Sequence, residues 1–455
     1  MFPLLLKDSI FSVAQRQFLT DARFLNCLRM FCSRKTDEQT SHSPSGDIAS
    51  DASYVPRRYR KRQADSLRSS HSRSVSVSRT LESENHGKLQ VKGMLDDMIT
   101  NSDKDKGFVE TFSSDVDENK KSKEHEKHSQ IIRPEIDPET KSFTFFPGQG
   151  SQFVGMGKQL LPFPGVKGLY DHASEILKYD LLKLCLYGPK SELDKTIHCQ
   201  PAVFVTSVAA IERLKEENFQ GIENTIATAG YSVGEFAAMV FAGMMSFEDA
   251  LSVVKVRAQA MQRASEETPS GMMTVFCFWG TKLNLATEAA KQYCKEHHHI
   301  EDPVCKIASY LFPEVKVIAG HDEALDFIEK NKKDFGIRSC KRIAVSGAFH
   351  TPLMDSARKP VSHALRRIEI HRPKFPILSN VTSNRLQNNA NFHKTIVNQL
   401  VKPVKWEQIM STLFTRDKTK SAFPYTYECG PGNQLGIFLD KMNNKAFKNY
   451  RNIQV

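Results

Sequence analysis

Ser232 stands between two glycines in Gly230-Tyr231-Ser232-Val233-Gly234, where one apolar run ends and another begins. Ile226 to Ala229 reads as the end of a buried strand, and Glu235 to Met244 as a packed helix. Such a corner is either a plain tight turn or a device that lifts a hydroxyl clear for attack. In the second case small flanking residues let the backbone close up, and the helix start leaves unpaired N–H groups beside the oxygen. Those donors would hold the oxyanion of a tetrahedral intermediate.

A nucleophilic serine needs a base. His350, in Gly347-Ala348-Phe349-His350, ends a predicted strand, and strand ends are where an open sheet places ligand-facing residues. The alternative is a histidine that caps the helix around Met354. Arg257 lies at the border of an apolar stripe formed by Phe247, Leu251, Val254, Ala258 and Met261. Its guanidinium either reaches out to water or pairs with an anion, and its planar fork suits a carboxylate. The run His297-His298-His299 has no carboxylate or cysteine spaced to close a metal site, so it reads as a solvated loop.

Strands alternating with helices must position these residues, which points to an α/β fold with a parallel sheet. Strands are expected in "SFTFFPGQGSQ", at Ile226–Ala229, in "RIAVSGAFH", in "FPILSN" and in "YTYECGPGNQLG". Helices are expected near Gly165–Leu182, over "CQPAVFVTSVAAIERLKEE" with Pro201 near its first turn, and over "SFEDALSVVKVRAQAMQRASEE". Residues 271–341 have a different texture: two strands, "GMMTVFCFWG" and "VKVIAGH", with helices at Leu283–His297 and Glu323–Asn331. They read as a small α+β subdomain inserted into a larger one at 141–270 and 342–455.

The first third of the chain is different again. Residues 1–35 carry Lys7, Arg16, Arg23, Arg29, Arg34 and Lys35 against only Asp8 and Asp21, with Phe11, Phe18, Leu19, Leu25 and Leu28 for an apolar face. That is the pattern of a mitochondrial transit peptide. Residues 36–140 are dominated by Ser, Lys, Glu, Asp, Arg and His, and cannot bury enough apolar surface to fold. They read as a disordered linker with a possible short helix near 89–99. The net charge of +11 leaves nucleic acid, an acidic protein, an anionic substrate or an organelle address open as its cause. Nine dispersed cysteines with no C-x-x-C pair fit reduced thiols, and no run approaches the ~20 apolar residues of a membrane span. On residues alone, a serine esterase or thioesterase, and a nucleic-acid binder built on Arg57–Arg79, remain alternatives.

Six motifs occur in one order: "FPGQGSQ" at Phe146–Gln152, "GYSVGEFAA" at Gly230–Ala238, "VRAQAMQ" at Val256–Gln262, "GAFH" at Gly347–His350, "PVKW" at Pro403–Trp406 and "GPGNQLG" at Gly430–Gly436. Together they resemble the malonyl-CoA:acyl carrier protein transacylases, in particular the mitochondrial form, from about Phe143 to Gly436. The resemblance implies a large parallel-sheet subdomain with an inserted ferredoxin-like one, and an active site in the cleft between them. It implies that Ser232 accepts the acyl group and that His350 is its base. It further implies an oxyanion hole from the N–H groups of Gln149 and Val233, a malonyl carboxylate on Arg257, and a Gln399 main-chain carbonyl orienting His350. The last makes the site a Ser–His dyad, with Asp355 not needed as a third member. Phe349 resembles the residue of members that prefer malonyl over methylmalonyl groups. The family often has histidine where Tyr231 stands, and an asparagine about where Ser309 falls. The expected function is ping-pong malonyl transfer to mitochondrial acyl carrier protein in the matrix, for fatty acid synthesis. No cofactor, metal, nucleic acid or membrane span is expected, and Lys and Arg in "KMNNKAFKNYR" are expected to steer an acidic carrier.

Overall fold

The structure is a computed structural model that describes residues 138–388, 391–415 and 422–455. The expected transit peptide and nearly all of the expected linker, including its short helix, lie outside the described residues. The strands are β1 (Ser142–Phe146), β2 (Thr225–Gly230), β3 (Ser270–Cys277), β4 (Cys305–Phe312), β5 (Val315–His321), β6 (Ile337–Ile343), β7 (Ile377–Leu378), β8 (Val404–Lys405), β9 (Tyr425–Cys429) and β10 (Tyr450–Ile453). The helices that matter for the site are α1 (Thr196–Glu217), α2 (Gly234–Phe241), α3 (Phe247–Glu267), α4 (Leu283–His298) and α5 (Asp322–Lys330).

The large sheet has the order β10-β9-β1-β2-β7, and every pair in it is parallel. Every residue of β1 is buried, as a parallel strand covered on both faces requires. On one face Phe143 and Phe145 pack against Phe414 and Trp406. On the other, Phe146 joins the apolar cluster that α1, α2 and α3 cover. The second sheet has the order β6-β3-β5-β4-β8. Its first four strands are antiparallel neighbours, with α4 between β3 and β4 and α5 between β5 and β6. This is the ferredoxin-like arrangement. Its own core holds Met273, Val275, Ile318, Leu325 and Phe327.

Several details differ from the expectations. The small unit has four strands of its own, not two; β4 and β6 were not separated in the sequence. Moreover β8, from the far side of the insertion, pairs parallel with β4 and so laces the two sheets together. The helix expected over Gly165–Leu182 is two helices, Val166–Leu177 and Leu181–Tyr187, divided by left-handed Lys178 and recapped by the Asp180 side chain on the Lys183 N–H. Pro201 lies inside α1 rather than near its start, because α1 begins at Thr196. His297 and His298 form the last turn of α4, with His299 left-handed behind them, so the run ends a helix rather than lying in a loop. A cavity of about 960 Å³ lies beside Ser142, Asn224, Tyr425 and Arg451. These residues are at the starts of the parallel strands, whereas Ser232 follows the end of β2. Arg451 is therefore at the wrong end of the sheet to steer a carrier toward Ser232.

Candidate active site

β2 ends at Gly230 and α2 begins at Gly234, so the turn between them is very tight. A Cβ on Gly230 would sit 1.9 Å from the Gly234 carbonyl oxygen. One on Gly234 would sit 2.3 Å from the Phe146 oxygen of β1. Both contacts are with backbone, which cannot swing aside, so only glycine fits. Ser232 is held at φ 53, in the left-handed region that non-glycine residues rarely enter. Its N–H donates to the Asn380 side-chain oxygen at 2.7 Å, and the Asn380 amide in turn donates to Gly230 O at 2.7 Å. Long-range hydrogen bonds thus hold the strained turn from both sides.

Ser232 Oγ faces His350 Nε2 at 2.9 Å. His350 Nδ1 lies 2.7 Å from the Gln399 main-chain oxygen. A carbonyl only accepts, so the proton is on Nδ1 and the Nε2 lone pair points at the serine. His350 is also left-handed, at φ 62, in the turn after β6, and a helix-capping role is not what it performs. Asp355 is exposed and pairs with Arg358, away from the imidazole. Burial, and then the positive charge of Arg257, push the His350 pKa down to about 4, against a smaller upward pull from the Gln399 carbonyl. The imidazole is therefore neutral and able to take a proton at neutral pH.

This shift has a testable consequence. Inactivation by a neutral, serine-directed sulfonyl fluoride should hold its rate from about pH 7 to about 5 and fall only as the pH approaches about 4. A fall centred near the ordinary 6.5 would contradict the buried, neutral imidazole. The linkage has a definite sign. Between 6.5 and about 4 the unfolded chain binds a proton that the folded site refuses, so this group's contribution to stability is lost as the pH falls through that window.

Arg257 is not at a solvent border. Its side chain is 1% exposed, near the face of Phe236, and it points at Ser232 Oγ. Nη2 donates to Ser232 Oγ at 3.2 Å and to Gln399 Oε1 at 2.9 Å; Nη1 donates to Gln200 Oε1 at 2.6 Å. The Nε–H is buried and has no partner among the described residues. Burial lowers the Arg257 pKa to about 10, with Glu235 pulling it back up, so the group stays cationic at neutral pH. A buried cation with an unused donor beside a nucleophile is equipped to receive an anion.

The Gly-Gln-Gly turn after β1 completes the surroundings. The Gln149 side chain donates to Thr196 Oγ1 at 3.2 Å and accepts from Gln200 Nε2 at 3.4 Å, which ties the turn to α1. The main-chain N–H groups of Gln149 and Val233 donate to no acceptor among the described residues. Phe349 is buried in the main apolar cluster. The two departures from the family pattern touch: the Tyr231 hydroxyl donates to Ser309 Oγ at 2.7 Å, which links the turn at Ser232 to β4 of the small sheet. Gln200, Glu235 and Asn380 were not singled out in the sequence, although Glu235 directly follows the G-x-S-x-G run. The Gln399 side chain also does more than its main-chain role implied: its amide donates to Ser232 O at 3.0 Å and to the Glu235 carboxylate.

Residues 144–423 match the acyl transferase domain family. The chain is 49% identical over 314 residues to the human mitochondrial malonyl-CoA-acyl carrier protein transacylase, covering 69% of this chain and 80% of that one. Among solved structures it resembles the malonyl CoA-acyl carrier protein transacylase of Coxiella burnetii, with TM-score 0.62 and 30% identity over 70% of this chain and 94% of that one. It also resembles a malonyl-transacylase solved in complex with a type II PKS acyl-carrier protein, with TM-score 0.60 and 29% identity over 69% of this chain and 94% of that one.

Proposed function

The chain belongs to the malonyl-CoA:acyl carrier protein transacylase family, and from that premise we propose how its own residues carry out the transfer. It is an S-malonyltransferase of fatty acid synthesis that moves a malonyl group from coenzyme A to a carrier thiol. The single observation that supports the residue roles best is that His350 Nε2 and Arg257 Nη2 converge on one serine oxygen.

Malonyl-CoA enters with its carboxylate on Arg257, displacing the guanidinium's weak contact with Ser232 Oγ. His350 takes the Ser232 proton as the oxygen attacks the thioester carbonyl. The oxyanion rests on the N–H groups of Gln149 and Val233, where a single donor is typically worth about 3–4 kcal/mol. The tetrahedral intermediate collapses, the C–S bond breaks, and His350 returns the proton to the leaving thiolate. The phosphopantetheine thiol of the carrier then attacks malonyl-Ser232, with His350 as base again, and the serine is regenerated. Phe349, immediately before the base, disfavours an α-methyl on the acyl group, an effect of about 1–3 kcal/mol. The carrier is the mitochondrial acyl carrier protein and the location the matrix. The basic, amphipathic residues 1–35 and the mitochondrial designation of the human relative support this.

Intact-mass measurement after mixing with malonyl-CoA tests the reading. One malonyl adduct per chain is expected, and it should disappear when holo-acyl carrier protein is added. Rapid hydrolysis of malonyl-CoA with no carrier present would instead mark an esterase.

A further inference from the structure

Glu235 is fully buried, and the mechanism above does not use its carboxyl group. It is the first acidic residue of α2, directly behind the nucleophile turn. One carboxylate oxygen accepts from the Asn380 main-chain N–H at 3.0 Å. The other accepts from the Gln399 side-chain amide. The same amide nitrogen donates to Ser232 O at 3.0 Å, and the amide oxygen accepts from Arg257 Nη2 at 2.9 Å. Gln399 is therefore a bridge between a buried anion and a buried cation.

We propose that Glu235 is a positioning residue for acyl-group selection: it fixes the direction of the Gln399 amide, and through it the guanidinium that receives the malonyl carboxylate. An ionised carboxylate and a carbonyl can only accept, so they demand the NH2 end of Gln399; a guanidinium can only donate, so it demands the oxygen end. With Glu235 ionised all three demands agree, and the amide has one orientation. With an amide in its place, position 235 can present NH2, which rewards a flipped Gln399. The flip would aim two donors at Arg257 and release its Nη2 edge. The main-chain carbonyl of Gln399, which holds His350, takes no part in the flip. Glu235 thus acts on anion recognition far more than on the base.

This inference rests on Arg257 being the carboxylate receptor, and the experiment separates the two. Initial rates are measured near pH 8, where Glu235 is ionised, with malonyl-CoA and with acetyl-CoA as donors. Glu235→Gln should lower the malonyl-to-acetyl ratio of kcat/KM by about 10- to 100-fold, mostly through KM for malonyl-CoA. A purely structural role would lower both donors in proportion and leave the ratio unmoved, which would overturn the proposal. In an Arg257→Ala background, Glu235→Gln should change the ratio no further; an additive second drop would show that it acts by another route. If Arg257→Ala itself leaves the ratio unchanged, the carboxylate reading fails, whatever Glu235 does.

Discussion

Ser232→Ala should abolish the malonyl adduct in intact-mass spectra and lower turnover by roughly four to six orders of magnitude, while malonyl-CoA still binds. The size follows from the chemistry, since without Oγ no covalent intermediate forms and the reaction cannot be divided into two thioester-level exchanges. Water or a carrier thiol would have to attack malonyl-CoA directly, helped only by the oxyanion donors and by proximity. The fold should survive the change. The Ser232 backbone conformation is held by Asn380 and by the Gln399 amide on its main-chain groups, and neither contact involves Oγ. The two lost partners of Oγ, His350 and Arg257, each keep another: the Gln399 carbonyl for His350, and Gln200 and Gln399 for Arg257. A melting temperature close to that of the wild type would accompany the lost activity. An adduct that persists in the variant would move the nucleophile to another residue.

The sequence showed those parts of this site that are contiguous along the chain. The turn around Ser232 is written in five residues because each glycine answers a backbone contact within or beside the same turn, and G-x-S-x-G carries that geometry by itself. The α3 stripe was legible for the same reason: Leu251, Val254, Ala258 and Met261 recur at helical spacing and are all buried. Arg257 could be placed only at the edge of that stripe. Its full burial depends on Gln200 from α1 and Gln399 after the 392–398 helix, 57 and 142 residues away along the chain, and no local pattern records such partners. Edge strands were the other loss. β6, "IRSCKRI", is mostly half-exposed and polar, and β10, "YRNI", is short and basic, so neither has the apolar run that marks a central strand.

The second large effect is one of specificity. Arg257→Ala should cut kcat/KM for malonyl-CoA by about two to three orders of magnitude and spare or raise the use of acetyl-CoA. The loss equals roughly 3–4 kcal/mol, within the range of about 3–5 kcal/mol for removing one partner of a buried ion pair. The geometry explains why the two donors should part company. In the malonyl-enzyme the carboxylate lies three bonds beyond Oγ, and a guanidinium already 3.2 Å from that oxygen can follow it with a small shift. An acetyl group has nothing to offer that guanidinium. Its entry would leave Arg257 paired as in the resting state and would gain nothing from the cation. Without Arg257 the pocket loses a buried positive charge that an uncharged acyl group never satisfied, while malonyl would bury an anion with no counter-ion. Arg257→Lys should fall between, because a point charge replaces a fork and cannot keep Gln200, Gln399 and a carboxylate all satisfied. Burial raises the Glu235 pKa, and the hydrogen bonds from the Asn380 N–H and the Gln399 amide, then to a lesser extent the charge of Arg257, hold it down; removing the cation withdraws the last of these. That carboxyl should then protonate at higher pH than its present value of about 7, and the variant should melt lower than wild type near neutral pH. Equal loss on malonyl-CoA and acetyl-CoA would show that Arg257 only supports the fold around Ser232 and that another group reads the carboxylate.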